Sequence, residues 1–145
     1  MLLLEESWTY SSRGQVLTAV AYDPMTGESR TTTNAYCEAG DLSAETCPVV
    51  GRILWTDGPR ADLSDTNIFQ YYAADYPGCA VGSATCAWRK GDLWKVTNAL
   101  GQVTETLRYD GAGRVLSSKN SNGVITDFVY DARGQLTGRT TRGSN

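Results

Sequence analysis

The C-terminal third of the chain repeats itself at a period of about twenty-one residues, and no other feature limits the fold so strongly. Tyr109-Asp110-Gly111-Ala112-Gly113-Arg114-Val115-Leu116 returns as Tyr130-Asp131-Ala132-Arg133-Gly134-Gln135-Leu136-Thr137. A second motif, Asn98-Ala99-Leu100-Gly101-Gln102-Val103-Thr104, returns as Asn120-Ser121-Asn122-Gly123-Val124-Ile125-Thr126. Such a period marks a stack of small, similar units, none of which can bury its apolar face alone.

Each unit reads as a strand, a tight turn and a returning strand. The segments 103–109 and 124–130 mix apolar and aromatic residues with Thr at strand length. Leu107 and Tyr109 fall on one face of their strand, as do Phe128 and Tyr130, because strand side chains alternate. Each segment then meets Asp-x-x-Gly, from Asp110 to Gly113 and from Asp131 to Gly134. An Asp at that place accepts hydrogen bonds from amides two residues on, and the Gly takes positive φ at little cost. The combination predicts hairpins built on a type I turn with a glycine bulge. Gly101 and Gly123 close the alternate turns, and Thr140 to Gly143 reads as the start of another. Fifteen Gly against four Pro, with no sustained helical stripe, place the chain in the all-β class as antiparallel hairpin repeats forming a curved sheet.

Worn copies fill the N-terminal half. The stretch from Trp8 to Thr18, with Tyr10 and Gly14, aligns with the stretch from Phe128 to Thr137. Gly51-Arg52-Ile53-Leu54-Trp55-Thr56 is similar to the stretch from Gly113 to Ser118, and Gly91 to Val96 opens a further copy. The reading is one array over 1–145 of about five hairpin units. Where a regular unit turns in about four residues, Tyr36 reaches Gly51 through fourteen, and the Tyr71-Tyr72 strand end reaches Gly91 through eighteen. These insertions, near 37–50 and 73–90, each own two cysteines. Two disulfides, Cys37–Cys47 and Cys79–Cys86, would each clasp one long loop. This local pairing is the expectation, although the spacing by itself also admits the two crossed pairings.

Net charge is −3, divided between an acidic stretch 1–86 (four basic, eleven acidic residues) and a basic stretch 87–145 (nine basic, five acidic). The basic residues are dispersed, with no aromatic platform between them, so nucleic acid is not an expected partner. Histidine is absent, which removes Ser-His-Asp and Cys-His catalysis, and the cysteines form no C-x-x-C pair, so neither metal nor cofactor is expected. No apolar run suits a membrane span, and Met1-Leu2-Leu3-Leu4, followed by Glu5 and Glu6, is no signal peptide. Disulfides nevertheless point to an oxidising destination, secreted or at a cell surface.

The spacing of Tyr109-Asp110-x-x-Gly113-Arg114-Val115-Leu116, of Tyr130-Asp131-x-x-Gly134-Gln135-Leu136 and of Asn122-Gly123-Val124-Ile125-Thr126 resembles the YD repeats of the Rhs family, shared with teneurins and toxin-complex shell subunits. Asp57-Gly58-Pro59-Arg60 and Asn98 to Thr104 are similar to a bacterial Rhs subtype. The resemblance implies a long antiparallel ribbon spiralling into a hollow shell that encloses a toxin domain, with neighbouring repeats of a larger chain as partners. It matches no closing self-cleavage segment and no toxin domain here, so the expectation is a repeat-region fragment or short relative.

Each chemical reading has an architectural counterpart. Asp110 and Asp131 could form an acid–base pair, but their recurrence at one repeat position predicts loop capping. Tyr10, Tyr36, Tyr71, Tyr109 and Tyr130 could stack sugars, but as strand-end residues they predict a ladder within the sheet. Gly51, Arg52, Gly113 and Arg114 belong to the same repeat frame. Of the four Trp, Trp88 is the candidate for carbohydrate or a cell-surface partner, since it lies in an insertion. The sequence therefore predicts a non-catalytic structural segment, with a carbohydrate-binding module as the alternative. An open strip of sheet predicts self-association as well.

Overall fold

The computed structural model describes residues 4–43, 46–79 and 86–143. Ten strands form a single antiparallel sheet in which every strand lies beside its predecessor in sequence: β1 (Glu5–Tyr10), β2 (Val16–Asp23), β3 (Glu28–Tyr36), β4 (Ile53–Asp57), β5 (Asn67–Tyr71), β6 (Leu93–Thr97), β7 (Val103–Tyr109), β8 (Val115–Lys119), β9 (Ile125–Tyr130) and β10 (Leu136–Arg142). A short 3₁₀ turn, Ala39–Asp41, is the one helical element among the described residues. Thr140 to Arg142, which the sequence suggests as the start of a turn, complete β10 instead, because they pair with Ile125, Thr126 and Asp127. The meander leaves β1 and β10 as edges.

One device sets the register at five places. Tyr10 faces Val16, Tyr36 faces Ile53, Tyr71 faces Leu93, Tyr109 faces Val115 and Tyr130 faces Leu136, each with a register shift beside the pair. In every case the partner lies two residues beyond a glycine with φ between 78° and 86° (Gly14, Gly51, Gly91, Gly113 and Gly134). The shift leaves one extra residue on the returning strand, a bulge that strengthens local twist. The same bulge recurs in all five hairpins, and β7 carries a second shift of its own between Thr106 and Arg108.

The turns share a frame. In Asp110–Arg114 the amide of Asp110 donates to the Arg114 carbonyl, the Gly113 amide donates to the Asp110 carbonyl, and Asp110 Oδ1 accepts from the amides of Ala112 and Arg114. Ser11, Asn98, Asn120 and Asp131 repeat this arrangement, each side-chain oxygen accepting from amides two and four residues on. The Asn-x-x-Gly and Asp-x-x-Gly turns are thus one structure. Both side chains offer an oxygen at the required reach, so the repeat uses either.

The turn from Asp57 is different. Arg60 does not close it; the chain continues to Thr66, and the Asp65 carboxylate lies against the backbone of Gly58, where a Cβ would collide with it. Asp65 also accepts the Arg60 amide, and the Arg60 guanidinium forks onto Asp62.

Burial is concentrated where the insertions fold back. Among the described residues Cys37, Cys47, Pro48, Tyr71 and Cys86 are buried, whereas all of β1 is exposed. The sheet itself is a single layer.

Candidate functional site

Three of the five strand-end tyrosines reach one hairpin back. Tyr71 Oη donates to the Ile53 carbonyl at 2.5 Å, Tyr109 Oη to Leu93 at 2.7 Å and Tyr130 Oη to Val115 at 2.9 Å. The acceptor is always the residue two beyond the preceding unit's glycine, the same residue that faces that unit's own tyrosine. A repeated Tyr at that spacing therefore stitches unit to unit. Among the described residues these five tyrosines form no ring–ring pairs with one another; the ladder is built from hydroxyl-to-carbonyl bonds. Tyr36 makes no such bond among the described residues; instead Asn34 Nδ2 donates to the Val16 carbonyl at 3.0 Å. Tyr10, at the start of the array, has no acceptor among the described residues and is 57% exposed.

A second strap runs alongside the first. The residue after each of three glycines extends to the glycine of the next unit: Gln15 Nε2 donates to the Gly51 carbonyl at 2.8 Å, Arg52 lies beside Gly91, and Arg114 lies against Gly134. Arg114 also covers the Tyr130 ring at 4.9 Å, and Arg52 the Tyr71 ring at 5.8 Å. Arg114 in addition binds Asp110 Oδ2 through Nε at 2.6 Å. The Arg114 amide, the Arg114 guanidinium and the Ala112 amide hold the Asp110 carboxyl below its usual range.

Cross-strand ion pairs add to these straps. Lys95, Glu105 and Lys119 are in direct register on β6, β7 and β8, with Glu105 between two ammonium groups at 3.4 and 2.8 Å. Lys119, more than Lys95, keeps the Glu105 carboxyl below its ordinary value despite partial burial. Asp127 accepts from Ser117 and Arg142, and Arg142 contributes most to lowering its carboxyl.

The insertions keep the turn frame at their roots. The Cys37 amide donates to the Arg52 carbonyl and the Gly51 amide to the Cys37 carbonyl; Tyr72, Asp92 and Gly91 repeat the pattern. Cys37 is joined to Cys47 across a Cα separation of 5.4 Å, and Cys79 to Cys86 across 4.6 Å. The second insertion also returns to the sheet, its Ala87 carbonyl taking the Tyr109 amide at 2.7 Å. Trp88 stacks on Tyr72 at 4.3 Å with an 8° tilt and meets Tyr76 edge to face at 4.7 Å. Tyr71, Tyr72, Trp88, Trp94 and Leu107 border an open apolar concavity of about 430 Å³. Tyr72 Oη donates to the Thr106 carbonyl at 2.6 Å, and burial, with the negative charge of Glu105 and Asp92 nearby, pushes its phenol up to about 12. Val49 from the first insertion packs against Gly91 at the root of the second, so the two insertions adjoin.

Sequence reasoning missed the acceptors of the tyrosines, the replacement of Tyr36 by Asn34 and the docking of Ala87. The acceptors are backbone carbonyls, which carry no sequence signal. The Gln15, Arg52 and Arg114 straps share one repeat position, directly after a glycine, and that recurrence is a signal alignment of the units can find.

Chemically, what these contacts among the described residues provide is anchoring. Asp110 and Asp131 are each bound to their own turn amides, and no cluster of three or more acidic or cysteine residues suited to a metal occurs among the described residues. What the fold defines is a β-hairpin repeat protein, an open sheet whose successive units are tied by side chains to the backbone of the unit before. Residues 109–145 match the family model described as RHS Repeat. No curated protein matches the chain. Among solved structures, one titled "Crystal Structure of TcdB2-TccC3-TEV" aligns over 97% of this chain and 9% of that one, at 15% identity and a TM-score of 0.28. The chain thus spans under a tenth of the length of that relative. No helix among the described residues is long and apolar enough to cross a membrane.

Proposed function

We propose that the chain is a non-catalytic wall segment, an array of about five YD-type hairpin units that contributes β-shell to a larger secreted or surface-delivered Rhs-type protein. Its partners in this reading are the neighbouring repeats of the parent chain and the toxin domain such a shell encloses. The observation that carries the reading is the tyrosine ladder. Tyr71, Tyr109 and Tyr130 each spend their hydroxyl on the preceding hairpin, which serves propagation of a wall. The parent is read as exported because both disulfides require an oxidising compartment.

An array gains stability with each added unit through its nearest-neighbour interface. A tandem copy of residues 120–140 inserted after Thr140 should therefore raise Tm and unfold with the rest of the chain in one transition. A Tm that stays constant, with a separate low transition for the added segment, refutes the array reading.

The concavity beside Trp88 favours a second reading, a module that binds carbohydrate or a cell-surface partner through the second insertion. Trp88, which gives one face to Tyr72, and Trp94 border that concavity and would have to supply the platform. Binding on a glycan array that is lost in Trp88→Ala would support it; an array without signal leaves the wall reading alone.

A further inference from the structure

The two edges of the sheet are complementary to each other. The ladder has an unused donor at β1, Tyr10, and an unused acceptor position at β10. Leu136 stands two residues beyond Gly134, as Val115 stands beyond Gly113, and among the described residues its carbonyl receives no side-chain hydroxyl. The second strap is open at the same ends, for Gln135 follows Gly134 as Gln15 follows Gly14, and among the described residues its side chain makes no hydrogen bond. Because ten consecutive antiparallel strands alternate in direction, a second copy placed beyond β10 in the same orientation presents β1 antiparallel to it.

The internal register gives the rest. Ser118 faces Thr126 between β8 and β9. One repeat further on, Ser118 becomes Arg139, and the strand aligned on Tyr130 by its own tyrosine is β1, where Thr126 becomes Glu6. The same alignment brings Tyr10 to the Leu136 carbonyl and Gln135 to Gly14. Arg139 and Glu6 are both exposed, and directly opposed opposite charges stabilise a pair of strands whereas like charges disfavour it. A two-fold pairing of β10 with itself about its centre would set Arg139 against Arg139.

We infer that copies of this segment, when isolated from any flanking repeats, associate head to tail, the β10 edge of one pairing with the β1 edge of the next in the register of the internal repeat. The partner is a second copy of this chain, and the inference rests on the array reading above. Being heterologous, the contact leaves one edge free at each end and grows with concentration.

The test is sedimentation velocity on the full chain at low ionic strength, from sub-micromolar to high micromolar concentration. The unmodified chain should show species that grow stepwise with concentration. Glu6→Lys and Arg139→Glu should each weaken association by about three- to tenfold, while the double variant, or an equimolar mixture of the two single variants, restores it. Tyr10→Phe should weaken it without altering the circular dichroism spectrum of the dilute chain, which controls for folding. A chain monomeric throughout the range overturns the inference, as does a dimer that only one of the two charge reversals weakens. Either result with the tandem-copy gain in Tm intact would remove the intermolecular pairing and leave the array standing.

Discussion

If the tyrosine ladder ties hairpin to hairpin, the value of each hydroxyl depends on where its tyrosine stands, and a Tyr→Phe series reads that dependence directly. Phe keeps the ring, so the change removes one hydrogen bond and little packing. Tyr71, Tyr109 and Tyr130 each lose a bond of 2.5 to 2.9 Å to a backbone carbonyl. A typical intramolecular hydrogen bond contributes about 0.5–1.5 kcal/mol net, with the upper end applying where the abandoned acceptor is shut off from water. Tyr71 is 4% exposed, so Tyr71→Phe should cost about 1.5 kcal/mol, and Tyr109→Phe and Tyr130→Phe, in half-buried surroundings, about 1 kcal/mol. Tyr10→Phe, with no acceptor in the described chain, and Tyr36→Phe, whose place Asn34 has taken, should both fall within about 0.5 kcal/mol of the parent. The assay is urea unfolding at a concentration where the chain is monomeric, followed by far-ultraviolet circular dichroism. With m near 1–3 kcal/mol per molar urea, a loss of 1 kcal/mol moves the midpoint by about 0.3–1 M. A Tyr10→Phe midpoint shifted as far as that of Tyr109→Phe, or a neutral Tyr109→Phe, would refute the reasoning.

Gly101→Ala and Gly134→Ala both place a side chain at positive φ, but only Gly134 has Arg114 against it; both should destabilise by about 1 kcal/mol or more, and Gly134→Ala by the larger amount in thermal melts, with equal losses arguing against the strap. Asp110, Glu105 and Asp127 have folded-state carboxyls held below their unfolded values. They therefore contribute stability above the ordinary carboxylate range that is lost as pH falls through the folded values, and Glu105→Gln should flatten the acid limb of a Tm-against-pH curve. Tyr72 runs the other way: its raised phenol contributes stability that is complete below about 10 and lost as pH rises toward about 12. Tyr72→Phe should reduce the alkaline slope in the same melts, the remainder coming from Tyr71 and Tyr109, whose phenols burial also raises. Replacing Cys37 and Cys47 together by Ser should cost about 2–3 kcal/mol in urea unfolding on chain-entropy grounds, and a neutral double variant would show that the clasp adds nothing to the first insertion.

The hairpins are legible in the sequence because their signal is local. Asp110, Asn120 and Asp131 each announce a turn that a glycine three residues later completes, and alternation around Phe128 and Tyr130 fixes the strands. The disulfides are legible for the same reason, since each pair lies within one insertion. The expected ladder is only half visible. The period of Tyr71, Tyr109 and Tyr130 shows that something recurs, but their acceptors at Ile53, Leu93 and Val115 are carbonyls that any residue supplies, and ring stacking is the natural first guess. The position of Trp88 is less accessible still. Its stack on Tyr72 and the bond from Tyr109 to Ala87 depend on how a long loop folds back over the sheet, a tertiary arrangement with no period behind it. The loop after Asp57 misleads because Gly58 and Pro59 suggest a tight turn, whereas Asp65 closes a wider one from a distance.

At the roots of both insertions the sheet bonds across the gap as though nothing had been added, through Cys37, Gly51 and Arg52 in one case and Tyr72, Gly91 and Asp92 in the other. The scaffold thus has sockets: places where foreign chain can be spliced in while every neighbouring strand keeps its partners. A peptide epitope inserted inside the Cys37–Cys47 clasp, with both cysteines kept, would be carried on the wall with its root bonds in place, and lineages of such arrays can acquire new surface loops at these junctions while their architecture stays unchanged.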